Sequence, residues 1–92
     1  MLKIFTSNRY KKSLRKIEVS GNFDENILLA VIELLSAGAE LPTTYKDHQL
    51  YGDLSRYREC HIKSDLLLIY EIDPIEMKLT LINIGSHSNL FG

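Results

Sequence analysis

Apolar positions recur along this chain with two different periods, and the switches between them mark out its elements. Residues 2–6, Leu-Lys-Ile-Phe-Thr, are short, apolar and partly β-branched, and predict a strand. Ser7 is a residue type that caps helices. After it Tyr10, Leu14 and Ile17 fall on one stripe at helical spacing, so a helix is expected over residues 8–17. Ser20-Gly21 breaks it. Asn22 followed by Glu25 has the spacing of a capping box. Phe23, Ile27, Ala30, Val31 and Leu34 then repeat every three to four residues, with Leu28 and Leu35 widening the stripe. They predict a second helix over residues 23–37, stopped by Gly38 with Pro42 just beyond. Residues 38–54, punctuated by Gly38, Pro42 and Gly52, read as a loop.

The period then drops to two. Over residues 56–62 Tyr57, Glu59 and His61 face one way, and Arg58, Cys60 and Ile62 the other. Residues 66–72 are almost wholly apolar, as in a central strand buried on both faces. Asp73-Pro74 is a turn, and residues 77–84 form a last strand ending at Gly85. The order is β-α-α-β-β-β. Strands joined by short turns pair antiparallel. The expectation is an α+β fold, with a small, mostly antiparallel sheet packed against two N-terminal helices. Residues 1–92 are read as one domain, without repeats or linkers.

Composition narrows the field. Hydrophobic residues are 45% and charged residues 25%, as in ordinary globular domains. No stretch approaches the roughly 20 apolar residues of a membrane span, and the start of the chain has no signal-peptide pattern. The single cysteine, Cys60, excludes an internal disulfide and fits a reducing cytoplasm. The net charge of −1 conceals an asymmetry: residues 1–16 carry six cations and no acid, the remainder five cations and twelve acids. Arg9, Lys12, Arg15 and Lys16 share the polar side of the first helix, with Lys11 flanking. Such a side is either a solvated face or a contact for phosphates.

Candidate chemistry lies in the second half, which holds all three histidines, His48, His61 and His87. Imidazole titrates near neutrality and can give or take a proton. Glu59 and His61, two apart on a strand, share a face; Asp65 follows in the next turn; His87 and Phe91 lie just past the last strand. Histidines and carboxylates without a nucleophilic serine suit general acid–base catalysis. RNA cleavage needs no nucleophile from the protein, because the ribose 2′-hydroxyl supplies one. One imidazole would take that proton and another protonate the leaving 5′-oxygen, with Lys46 or Arg58 neutralising the phosphorane and Phe91 stacking on a base. Against this stand plainer readings. Histidines are commonly surface or packing residues, and Phe91 can simply hold down the end of the chain. Three histidines with Asp65 or Glu59 would also satisfy zinc, although no pair has the close helical spacing of zinc peptidases. Cys60, facing away from His61, reads as core.

Three ordered motifs carry a resemblance. Tyr45-Lys46-Asp47-His48-x-Leu50-x-Gly52, then Arg58-x-x-His61-x-x-x-Asp65-x-Leu67-Leu68-Ile69-Tyr70, then Gly85-x-His87-x-x-Leu90-Phe91-Gly92 resemble the YafQ branch of the RelE superfamily of bacterial toxins. The resemblance implies a RelE-like fold and a type II toxin. Such a toxin is a ribosome-dependent endoribonuclease that cleaves mRNA, stops translation and is neutralised by a cognate antitoxin. His48, His61, Asp65, His87 and Phe91 match positions tied to RNA cleavage there. Glu59 stands where the family commonly has Asp. Arg9, Lys12, Lys16, Lys46 and Arg58 are the expected RNA contacts, and neither metal nor other cofactor is expected. The alternatives are an inactive homologue that only binds its antitoxin, or a nucleic-acid-binding module using the basic helix.

Overall fold

The computed structural model describes residues 1–21 and 23–91. Strand β1 (Lys3–Thr6) leads into α1 (Asn8–Ser20) and α2 (Glu25–Ser36). A one-turn 3-10 helix (Thr43–Tyr45), the two-residue strand β2 (His48–Gln49) and a second 3-10 turn (Gly52–Leu54) follow. Then come β3 (Arg58–Lys63), β4 (Leu66–Asp73), β5 (Lys78–Gly85) and a short α3 (His87–Phe91). The five strands form one sheet in the order β1-β5-β4-β3-β2. β2, β3, β4 and β5 pair antiparallel with their neighbours, whereas β1 adds to β5 in parallel.

The helices start where side chains can cap them. The Ser7 hydroxyl accepts the Tyr10 amide at 3.0 Å and donates to the Ile82 carbonyl, so the cap also moors α1 to β5. α1 runs three residues past the expected end and stops at Gly21, whose φ of +79° is the left-handed conformation that a helix terminus favours. The cap of α2 is Asp24, accepting from the Asn26 amide at 3.0 Å. The helix therefore starts after Phe23; Asn22, the expected cap, lies outside the described residues, as does Gly92.

Both helices cover one face of the sheet. Tyr10 of α1 and Leu28, Val31 and Leu35 of α2 pack on Cys60, Ile62, Leu68, Tyr70, Leu79, Leu81 and Ile84. β4, third of five strands, buries Leu67 to Tyr70 on both faces, as its apolar run predicts. Further along the chain other boundaries differ from expectation as well. The stretch 38–54 is no plain loop, because it holds two 3-10 turns and β2. β3 begins at Arg58 rather than residue 56, since Tyr57 closes a turn onto Leu54. Met77, at φ +56°, belongs to the turn before β5. The segment after Gly85 adds a helix that no periodicity announced.

Burial, then the charges of Asp47 and Glu59, push the Cys60 thiol up from 9.0 to about 12. Burial, then Glu18, pushes the Tyr10 phenol from 10.0 to about 12. In each case folding favours the neutral form. The associated stability is full below the unfolded value and is lost as pH rises through the folded one. Urea midpoints are expected to hold level up to about pH 9 and fall steadily above it; Cys60 should resist alkylation at neutral pH until the chain unfolds.

Candidate active site

β3 builds the site by alternation. Cys60 and Ile62 turn into the core, 0% and 5% exposed, so Glu59 and His61 emerge on the opposite face. β2 pairs with β3 so that His48 stands directly opposite Glu59, which sets both side chains on that same face. Glu59 is 7% exposed. Its Oε1 lies 3.3 Å from Nε2 of His48 and 3.8 Å from Nε2 of His61. One buried carboxylate oxygen therefore serves two imidazoles from different strands. The other nitrogen of His48, Nδ1, lies 2.8 Å from the Lys46 carbonyl. A carbonyl only accepts, so Nδ1 is the donor at that contact.

The segment bearing His48 is anchored from the other face of the sheet. Asp47 accepts from Arg58 Nη2 at 3.0 Å and Nε at 3.4 Å, and from the hydroxyl of Tyr70. Tyr70 is 1% exposed, and β3–β4 pairing sets Arg58 opposite it. Burial first, then the hydrogen bond to Asp47, hold the Tyr70 phenol well above its usual range and keep it a donor. The hydrogen bond to Asp47 likewise raises the Arg58 guanidinium. Arg58, expected beside the histidines, is thus committed to Asp47 on the opposite face from Glu59 and His61. Lys46 does flank the site, lining a cleft with Tyr45 and His61.

His87 lies across the end of the sheet from this pair. The pairing aligns His61 with Leu67 and Leu67 with Gly85 in one row, which at the usual strand spacing sets Gly85 about 10 Å from His61. His87 follows two residues later as the first residue of α3. Asp65, in the β3–β4 turn, accepts the backbone N–H of His87 at 3.0 Å. Its observed contact is with the backbone of His87 and not with an imidazole. Phe91, one turn on, packs tilted against the His87 ring, with centroids 5.2 Å apart, and stays 41% exposed. No hydrogen bond or ion pair among the described residues joins His87 to His48, Glu59 or His61. The three histidines thus fall into two groups at one end of the sheet: His48 and His61 sharing Glu59, and His87 stacked on Phe91.

Arg9, Lys12 and Lys16 lie on α1, around a separate groove against β5 and α3. Among the described residues, no three His, Cys, Asp or Glu side chains are grouped so as to hold a metal ion, and no helix is long and apolar enough to cross a membrane. Sequence reasoning missed Asp47 and Tyr70 as the anchor of His48. Asp47 stands in a conspicuous Lys-Asp-His triplet, but its partners appear only once β2 pairs with β3.

The fold and the histidine-lined end of its sheet place the chain among the RelE-like bacterial toxins. Residues 2–92 match the family described as bacterial toxin of type II toxin–antitoxin system, YafQ, and the chain belongs to that family. The mRNA interferase toxin YafQ of Escherichia coli K12 is 32% identical over 91 residues, covering 85% of this chain and 97% of that one. A metal-bound toxin from Helicobacter pylori superposes with a TM-score of 0.90 at 47% identity, over 99% of this chain and 100% of that one. The E. coli DinJ–YafQ complex gives 0.87 at 31% identity, over 100% of both chains.

Replacing Tyr70 by Phe removes one donor from Asp47 and leaves the ring packed. Urea unfolding should show a loss of about 1 kcal/mol.

Proposed function

We propose that this chain is a cytoplasmic endoribonuclease, a toxin that cuts mRNA on the ribosome, blocks translation and is neutralised by a cognate antitoxin, with residues 1–92 working as one domain. The carrying observation is the Glu59 carboxylate between two imidazoles, with a third imidazole across the end of the sheet. In-line displacement at phosphorus needs the proton acceptor and the proton donor on opposite sides of the phosphate, and two separated imidazole groups meet that need. The 2′-hydroxyl gives its proton to one group and its oxygen attacks phosphorus. The bond to the 5′-oxygen breaks, and that oxygen takes a proton from the other group, leaving a cyclic phosphate and a free 5′-hydroxyl. His87 makes one of the two transfers; His48 and His61, oriented by Glu59, share the other and stabilise charge. Asp65 keeps His87 in place through its amide. Lys46 faces the charge that develops on the phosphorane, Phe91 stacks on a base, and Arg9, Lys12 and Lys16 contact the RNA backbone. Arg58 acts through Asp47. The relatives support this reading: the E. coli protein is named an mRNA interferase, and it forms a toxin–antitoxin complex with DinJ.

The H. pylori toxin's metal-bound crystal structure favours a second reading, in which the imidazoles serve as metal ligands. The two differ in their response to chelation. We expect cleavage in EDTA to match the untreated rate; loss of activity restored by zinc would put the metal in the protons' place.

His87→Ala should lower cleavage by about 10²–10⁴-fold, the usual contribution of a positioned acid or base, and relieve growth arrest on induction. Its melting temperature and circular dichroism should match the parent, because His87 is exposed and contributes nothing to the core. Growth arrest as severe as the parent's would refute its role.

A further inference from the structure

Between α1 and the corner where β5 passes into α3 runs a groove of about 590 Å³, apart from the histidines. Arg9, Lys12 and Lys16 line it, no acidic residue does, and Leu90 supplies apolar surface. Among the described residues none of these three cations has an ion pair. Cations facing only solvent on a convex helix repel one another to no purpose; lining a concavity, they form a site for anions.

A positioned donor is built into the same wall. Asn83 Oδ1 accepts from the Ser13 hydroxyl at 2.7 Å and from the Ile84 backbone N–H at 2.9 Å. A backbone N–H can only donate, so the amide's oxygen end is assigned there and its NH2 end must turn the other way. Nδ2 has no partner among the described residues. The lock ties β5 to α1 across the fold, so this donor is fixed before any ligand arrives.

The groove reaches the helix that carries His87. Asn89 and Leu90 of α3 line the groove, whereas His87 and Phe91, four apart on that helix, stack on each other. α3 lies close over the end of β5: a Cβ on Gly85 would sit 3.5 Å from that of Asn89. α3 thus carries groove residues and His87 on the same five-residue segment.

We propose that this groove is a subsite for the single-stranded RNA segment flanking the cut. Its cations take the phosphates that follow the scissile one, Asn83 donates to an acceptor on the base, and the base packs against Leu90. A positively charged groove that tracks the backbone is the usual means of holding a single strand. This inference deepens the cleavage reading and rests on it.

The test is anisotropy titration of the full chain with a short single-stranded RNA made uncleavable by 2′-O-methyl groups, between about 50 and about 200 mM salt. Lys12→Gln and Lys16→Gln should each lower the slope of log affinity against log salt by about 0.7. Asn83→Asp keeps an acceptor for Ser13 and Ile84 but loses the donor, and should weaken binding about tenfold. His87→Ala serves as the separate control on the chemistry, binding normally without cleaving mRNA on ribosomes; if it still cleaves there, the cleavage reading fails whatever the groove does. Unchanged RNA affinity in all three groove variants, or no binding by the parent chain, overturns the subsite. The same variants losing affinity for the antitoxin alone would assign the groove to an acidic protein segment and overturn it equally.

Discussion

The two-residue period of β3, held in place by burial, is the constraint from which the rest of the site follows. Cys60 and Ile62 are locked into the core beneath α2, so Glu59 and His61 have only the opposite face available. Fully burying an aliphatic side chain contributes about 1.5–3 kcal/mol, and a slip of one residue would expose both core residues of the strand while driving a carboxylate and an imidazole inward. The core thereby fixes the direction of the polar face. Glu59, once there, is largely shielded from water, and a buried carboxylate is costly without partners. The two histidines supply those partners, one from the same strand and one from its neighbour.

Polar clusters on the two faces of β3 complement each other. On one side Asp47 collects Arg58 and Tyr70; on the other, the next residue, His48, meets Glu59. Asp47, just before the edge strand, and His48, its first residue, thus answer to opposite faces of the sheet. A buried phenol on the central strand reaches the outermost imidazole through a single carboxylate. This separation also clarifies the charge distribution. The chain is slightly acidic overall, yet the acids nearest the histidines are engaged with His48, His61 and the amide of His87, while the cations of α1 stand unopposed around their groove.

Much of this was legible in the sequence where periodicity had room to declare itself. The stripes Tyr10-Leu14-Ile17 and Ile27-Val31-Leu34 gave the helices, and the alternation around Cys60 set Glu59 and His61 on one face. That alternation also put Arg58 with Cys60 on the other face, which is where it lies. What remained hidden is short or non-local. β2 has two residues, too few for any period, and exists only by pairing with β3. α3 has five and takes its order from β5. Asp24 caps α2, and residue type alone does not single it out among neighbouring acceptors. The basic side of α1 was plain, but Asn83, its counterpart across the groove, becomes visible only when β5 lies beneath that helix.

The five residues of α3 are too few to sustain a helix unaided. Their order is borrowed from the contact over Gly85 and from one carboxylate–amide bond at Asp65, neither of which reaches the main core. Local opening of such a segment costs far less than global unfolding. Local order around His87 and global stability are therefore separable in this molecule. Opening of this segment leaves the sheet beneath it whole, so a population that is fully folded by spectroscopy need not have residue 87 in its native place.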